Sequence, residues 1–115
     1  MNQQAKIYYK VGNDFLKKQL FPQAIQSYLD AIRFDQNYVK AYSNLGVAYK
    51  LSGLLKEAER TYMKALKLKP NNGIIFNNLG NVYMQMNKLK EAEICYLKAI
   101  KIYPRYKEAY YNLGQ

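Results

Sequence analysis

Glycine stands at positions 12, 46, 80 and 114, an interval of 34 residues three times over. The neighbours keep the same register. Val11, Leu45, Leu79 and Leu113 precede the glycines, and Tyr8, Tyr42, Phe76 and Tyr110 lie three residues further back. Phe15, Tyr49 and Tyr83 follow three residues after the first three glycines. Ala24, Ala58 and Ala92, then Tyr28, Tyr62 and Tyr96, then Ala31, Ala65 and Ala99 repeat at the same interval. Aligning 39–72 with 73–106 gives 14 identities in 34 positions. A fixed period of this length requires a stack of similar units, each burying its apolar face against the next.

The spacing inside a unit is helical. Tyr42, Leu45 and Tyr49 (i, i+3, i+7) share one helix face, and Ala58, Tyr62 and Ala65 (i, i+4, i+7) share a face of a second helix. Ser52-Gly53 and Met86-Asn87 separate the two helices with residues that tolerate a left-handed C-cap. The first unit has Lys18-Gln19 there, a weaker stop, followed by Pro22, which suits a first helical turn. A mid-helix glycine costs roughly 1 kcal/mol against alanine. Its recurrence implies close approach of the paired helix, helped by the small alanines.

Aromatic-x2-Leu-Gly-x2-Tyr, then Ala-x3-Tyr-x2-Ala, then Pro70 or Pro104 resembles the tetratricopeptide repeat. The resemblance implies an all-α fold of helix–turn–helix units stacked as a right-handed solenoid. Residues 1–4 read as a lead-in, 5–38, 39–72 and 73–106 as three repeats, and 107–115 as the start of a fourth. The first repeat departs most, with Val11 for Leu and Gln36 for Pro. The chain stops with its apolar positions intact, which points to a fragment of a longer chain or to an end that stacks on, or swaps with, another copy.

Composition narrows the chemistry. The chain has no His and one Cys, so no Ser-His-Asp triad, Cys-His pair or Cys/His zinc site can be built within it. It has no glycine-rich phosphate loop, and the carboxylates Glu57/Glu59 and Glu91/Glu93 do not share a helix face. No catalysis, cofactor or metal is expected. Cys95 reads as a small, half-buried apolar residue. No signal-peptide core and no transmembrane run is visible, which with the lone Cys favours the cytoplasm.

The net charge of +10 suggests an acidic partner and leaves open whether that is protein, nucleic acid or membrane. In the resembled family the first helix of each pair lines a concave groove. Lys6, Tyr9, Lys10 and Asn13 of the first unit fall on that face, as do Lys40, Asn44 and Lys50 of the second and Asn77, Asn78 and Asn81 of the third. Asn112 continues the register. Asn44, Asn78 and Asn112 recur at one position, and a side-chain amide there can pair with both N–H and C=O of an extended peptide. This row is similar to the asparagine ladder of the O-linked N-acetylglucosamine transferase superhelix. The two-carboxylate clamp of related chaperone-tail binders is not met: Asn13 and Asn44 match two of its five positions, but Tyr9, Ile74 and Asn78 stand where its three cations are needed, so chaperone-tail binding through that clamp is not expected.

The expected function is therefore a non-catalytic interaction scaffold holding an extended acidic peptide or C-terminal segment. Two alternatives are a recruiting fragment of a larger multidomain enzyme and a self-assembling structural module. RNA binding is disfavoured. Tyr8, Tyr28, Tyr42, Tyr49, Tyr62, Tyr83, Tyr96 and Tyr110 are assigned to packing, and Tyr9, Tyr38, Tyr103, Tyr106 and Tyr111 are left over. Only Tyr9 and Tyr111 of these map to the groove. Lys64, Lys67, Lys69, Lys98 and Lys101 lie late in second helices, where they complement the helix dipole.

Overall fold

The structure, a computed structural model, describes residues 2–105 and 107–113. Met1, Tyr106, Gly114 and Gln115 lie outside the described residues, and with them the fourth glycine of the repeat. The described chain is all-α. Its helices are α1 (Gln3–Lys17), α2 (Phe21–Phe34), α3 (Val39–Leu51), α4 (Leu55–Leu68), α5 (Gly73–Gln85), α6 (Leu89–Ile102) and α7 (Lys107–Leu113).

Helix ends follow the residues available. Asn2 caps α1, its Oδ1 accepting from the Gln4 and Ala5 N–H groups at 2.8 and 3.3 Å. Asn72 does the same for α5 through the Ile75 N–H at 3.1 Å. Pro22 sits in the first turn of α2. The inner turns share one geometry at three positions 34 apart. Gln19, Gly53 and Asn87 have φ of 61°, 80° and 61°. The next N–H then reaches back five residues, from Leu20 to Phe15 O, Leu54 to Tyr49 O and Lys88 to Tyr83 O. The first unit thus forms the same left-handed cap as the others, with a residue poorly suited to it. Replacing Gln19 with Gly is expected to stabilise the protein by about 0.5 kcal/mol, since backbone strain of roughly 1 kcal/mol is relieved while unfolded-state entropy takes part of it back. Urea denaturation checks this, and an unchanged or lower midpoint refutes it.

The missing proline at Gln36 is compensated locally. Tyr42 Oη donates to Gln36 O at 3.0 Å, and the Asn37 N–H donates to Asp35 Oδ1 at 3.1 Å. Together these hold the turn between α2 and α3 closed.

Each helix pair meets where the glycine of one faces the tyrosine of the other. A Cβ added at Gly12 would lie 2.6 Å from the Tyr28 ring, one at Gly80 would lie 2.6 Å from the Tyr96 ring, and one at Gly46 would run into the Tyr62 ring. The recurring glycine therefore makes room for an aromatic ring, and the alanines flank that contact. Ala24, Ala58, Ala92, Ala31, Ala65 and Ala99 are all fully buried. Cys95 is buried at 6% exposure, deeper than the half-buried site expected, and burial pushes its thiol up to about 11.

Two tyrosines depart from expectation. Tyr38, left without a packing role by the repeat, is buried, its ring 5.0 Å from that of Tyr9. Tyr110, on a packing position, is 50% exposed. Among the described residues no helix covers α7 as α2, α4 and α6 cover α1, α3 and α5.

Candidate functional site

Each helix packs on its chain neighbours, and α1 also touches α3, α3 touches α5 and α5 touches α7. By contrast α2, α4 and α6 make no close approach to one another. The odd-numbered helices are therefore the more tightly spaced layer. A stack with one tight layer and one splayed layer curves toward the tight one, so the odd helices line the concave side.

The lysines expected on this side are at or near the surface. Lys6, Lys10 and Lys40 are exposed and Lys50 is half-buried. Helices α3 and α5 contain no Asp or Glu. Among the described residues the one ion pair is Arg33–Asp30, at 3.7 Å on α2. Lys40 and Lys50 therefore have no carboxylate on α3 or α5 beside them, and the inner helices carry only Asp14 on α1 and Glu108 on α7. Lys6, Lys40 and Lys69 come together on one cavity of about 610 Å³, with Tyr38, Ser43 and Ile74 also on its wall and no carboxylate among its lining residues. Lys69 is the residue that helix-end reasoning set aside. As the C-cap of α4 it lies at the junction leading to α5, which carries it to the start of the inner layer. A larger cavity of about 860 Å³, near α7, has both Arg105 and Glu108 on its wall and so favours neither sign of charge.

The asparagines are engaged with one another more than an open ladder implies. Asn44 Nδ2 donates to Asn13 Oδ1 at 2.9 Å and to Tyr9 Oη at 3.2 Å, tying α3 to α1. Asn112 Nδ2 donates to Asn77 Oδ1 at 3.1 Å and ties α7 to α5 in the same way. Asn77, expected in the groove, is 1% exposed and forms part of that seam. Tyr9 is half-buried, and its ring packs against Tyr28 and Tyr38. The amide of Asn78 has no hydrogen-bond partner among the described residues. Asn44 retains its Oδ1, an acceptor suited to a peptide N–H.

One further arrangement was legible only as spacing. Asn13 and Asn81 are 68 residues apart, twice the repeat, with Val47 between them. Tyr28 Oη donates to Asn13 Oδ1 and Tyr96 Oη to Asn81 Oδ1, each at 2.6 Å. The middle unit has the tyrosine, Tyr62, but Val47 offers no acceptor. The Tyr62 hydroxyl is buried without a protein partner. Burial pushes its ionisation well above the usual phenol range.

Among the described residues no group of His, Cys, Asp and Glu could hold a metal ion, and no helix is long and apolar enough to cross a membrane.

Paired helices in a fixed register and a curved inner face define a repeat scaffold. The sequence matches the family model described as "Tetratricopeptide repeat" over residues 39–72 and 74–106, and one described as "TPR repeat" over residues 12–53. The chain belongs to the tetratricopeptide repeat family. Among solved structures it is similar to the first such domain of Spaghetti (RPAP3) bound to the HSP90 peptide SRMEEVD. That match has a TM-score of 0.95 and 23% identity, and covers 99% of this chain and 90% of that one. It is also similar to the Arabidopsis OM64 domain, with a TM-score of 0.94 and 20% identity over 97% of this chain and 93% of that one. MamA matches with a TM-score of 0.90 and 26% identity over 96% of this chain and 64% of that one. Among curated proteins, Hsp70-Hsp90 organizing protein 1 of Arabidopsis thaliana is 50% identical over 38 residues, which is 33% of this chain but 7% of that protein.

Proposed function

We propose that this chain is a non-catalytic scaffold whose concave face holds an extended acidic peptide or C-terminal segment. The observation that carries the reading is the meeting of Lys6, Lys40 and Lys69 on one cavity with no carboxylate lining it. Like charges held together repel, and an incoming carboxylate relieves that repulsion while gaining charge-assisted hydrogen bonds. Lys10 and Lys50 extend the positive face along α1 and α3. Asn44 Oδ1 and the Asn78 amide are the groups available to a peptide backbone, and Asn112 contributes through its remaining acceptor. The Spaghetti structure, whose bound peptide carries two glutamates and an aspartate, supports the same class of ligand. A reducing, cytoplasmic setting suits the buried thiol of Cys95.

Because Tyr9, Ile74 and Asn78 occupy positions where a carboxylate clamp needs cations, acidic side chains contribute more than the chain terminus. Titrating fluorescein-labelled SRMEEVD is expected to give saturable binding. Changing its two glutamates to glutamine weakens binding about tenfold, while amidating its C-terminus weakens it about twofold. Lys40→Glu combined with Lys69→Glu weakens the acidic peptide by a further factor of about ten, most strongly at low salt. The opposite ranking assigns recognition to the chain terminus. Equal binding of the acidic and neutral peptides, or no binding of either, refutes the reading.

A further inference from the structure

In the first and third repeats the tyrosine of the outer helix ends on an asparagine of the inner helix. In the second repeat this pair is broken. The ring of Tyr62 lies over Gly46 as Tyr28 lies over Gly12 and Tyr96 over Gly80, so its hydroxyl points the same way, toward position 47. Val47 stands there, and the space an amide would fill belongs to a cavity of about 140 Å³ lined by Val47, Lys50, Leu51, Tyr62, Asn78 and Asn81. A buried hydroxyl left unpaired is costly, commonly by about 1–3 kcal/mol, so a protein that retains one has a use for its hydrogen bond or a partner for it.

The lining is rich in donors. The Tyr62 hydroxyl and the Lys50 ammonium can donate, as can the Asn78 amide, and Asn81 keeps its Nδ2 because only its Oδ1 is taken, by Tyr96. Val47 and Leu51 supply an apolar wall. At roughly 30 Å³ per water, the space exceeds what a single water needs. No carboxylate lines it. Four donor-bearing residues beside an apolar wall suit an anionic carboxylate on a short aliphatic stem.

We propose that the cavity bounded by Val47, Tyr62 and Asn78 is a side-chain subsite of the groove that takes the carboxylate of a Glu residue of the bound peptide. The inference rests on the peptide-groove reading above and adds where one acidic side chain is seated. Lys50 and Asn78 are half-buried and line the cavity; they turn toward the incoming carboxylate and open the way to Tyr62 Oη. The substitution of Val for Asn at position 47 is what makes this unit, and not its neighbours, a pocket.

The test uses the full chain with SRMEEVD and its glutamine-substituted form, SRMQQVD, as probes. Val47→Asn restores the Tyr–Asn pair of the other repeats and fills the space. It should raise the melting temperature while weakening the acidic peptide about tenfold, with little effect on the glutamine form. Tyr62→Phe keeps the ring over Gly46 and removes the donor. It should leave the melting temperature unchanged or higher and weaken the acidic peptide about fivefold. In NMR spectra of the wild-type protein, the Val47 methyl signals should shift on adding the acidic peptide and stay in place with the glutamine form. If both variants bind SRMEEVD as tightly as the wild type while Lys40→Glu with Lys69→Glu still weakens it, the subsite is wrong and the groove reading stands. If SRMEEVD fails to bind the wild-type chain, the groove reading falls and the subsite falls with it. A complex in which only a water meets Tyr62 Oη also overturns the subsite.

Discussion

Gly80→Ala is expected to lower the unfolding free energy by about 2 kcal/mol, and Gly46→Ala by at least as much. A Cβ at Gly80 would lie 2.6, 2.8 and 3.0 Å from Cε1, Cδ1 and Cζ of Tyr96. That ring cannot easily yield, because Tyr96 is 2% exposed and its hydroxyl is held by Asn81 at 2.6 Å. Moving it either strains the core or breaks a buried hydrogen bond, each worth about 1–3 kcal/mol. The opposing gain in helix propensity is about 1 kcal/mol and does not cancel the loss. Gly46 faces the Tyr62 ring still more closely. Gly53 serves as the control, since its φ is +80° but nothing stands within 4 Å of an added Cβ. Gly53→Ala should therefore cost only the left-handed backbone strain, about 1 kcal/mol. Urea midpoints with unchanged slopes read all three. A Gly80→Ala protein as stable as the wild type would show that the ring yields freely, and the periodic glycine would need another cause.

The glycine register was readable because a mid-helix glycine is unfavourable and recurs only where something compels it. Its cause was half readable. Sequence spacing shows that the partner helix comes close. It does not show that the touching atom is a tyrosine ring sixteen positions later rather than an alanine. The helix pairs were legible for the same reason, since apolar spacing of three and four residues survives any choice of partner.

The concave face was legible as a set of residues but not as a set of free groups. Asn44 reads as a surface amide in its own helix. Its donors in fact reach Asn13 and Tyr9, 31 and 35 residues earlier, across the inner layer. Lys69 sits at the end of α4 as expected, but its neighbours were not visible for a related reason. Its position late in α4 accounts for its charge locally, and only the packing of α4 before α5 brings it beside Lys6 and Lys40. Tyr38 and Tyr110 fail in opposite directions. Tyr38 is buried by the turn between two repeats, which no period describes, while Tyr110 has the register of a core residue but no covering helix among the described residues. Val47 was the most informative departure. A hydrophobic residue on a helix face draws no attention until the tyrosine it fails to satisfy is seen.

Those same tyrosines should make the fold collapse in alkali. Burial, with a smaller contribution from the neighbouring Cys95, pushes Tyr96 from an ordinary value of 10.0 up to about 12. Burial likewise raises Tyr28, Tyr62 and Tyr83. The folded state thus holds its phenol protons more tightly than the unfolded chain does. Below pH 10.0 both states are neutral and this part of the stability is fully present. As the pH rises past that point the unfolded chain ionises first and is favoured, and for Tyr96 the loss is complete near pH 12. At about 1.4 kcal/mol per unit, Tyr96 alone removes on the order of 2 to 3 kcal/mol. Tyr28, Tyr38, Tyr42, Tyr49, Tyr62 and Tyr83 act in the same direction against a net stability of about 5–15 kcal/mol for a domain of ordinary size. Helical circular dichroism should therefore drop cooperatively between about pH 10 and 12, together with a step in tyrosinate absorbance. Tyr96→Phe should move that midpoint upward. A helical signal that stays flat while every tyrosine ionises gradually would mean that the rings over the glycines are open to solvent, contrary to the packing that sets the 34-residue period.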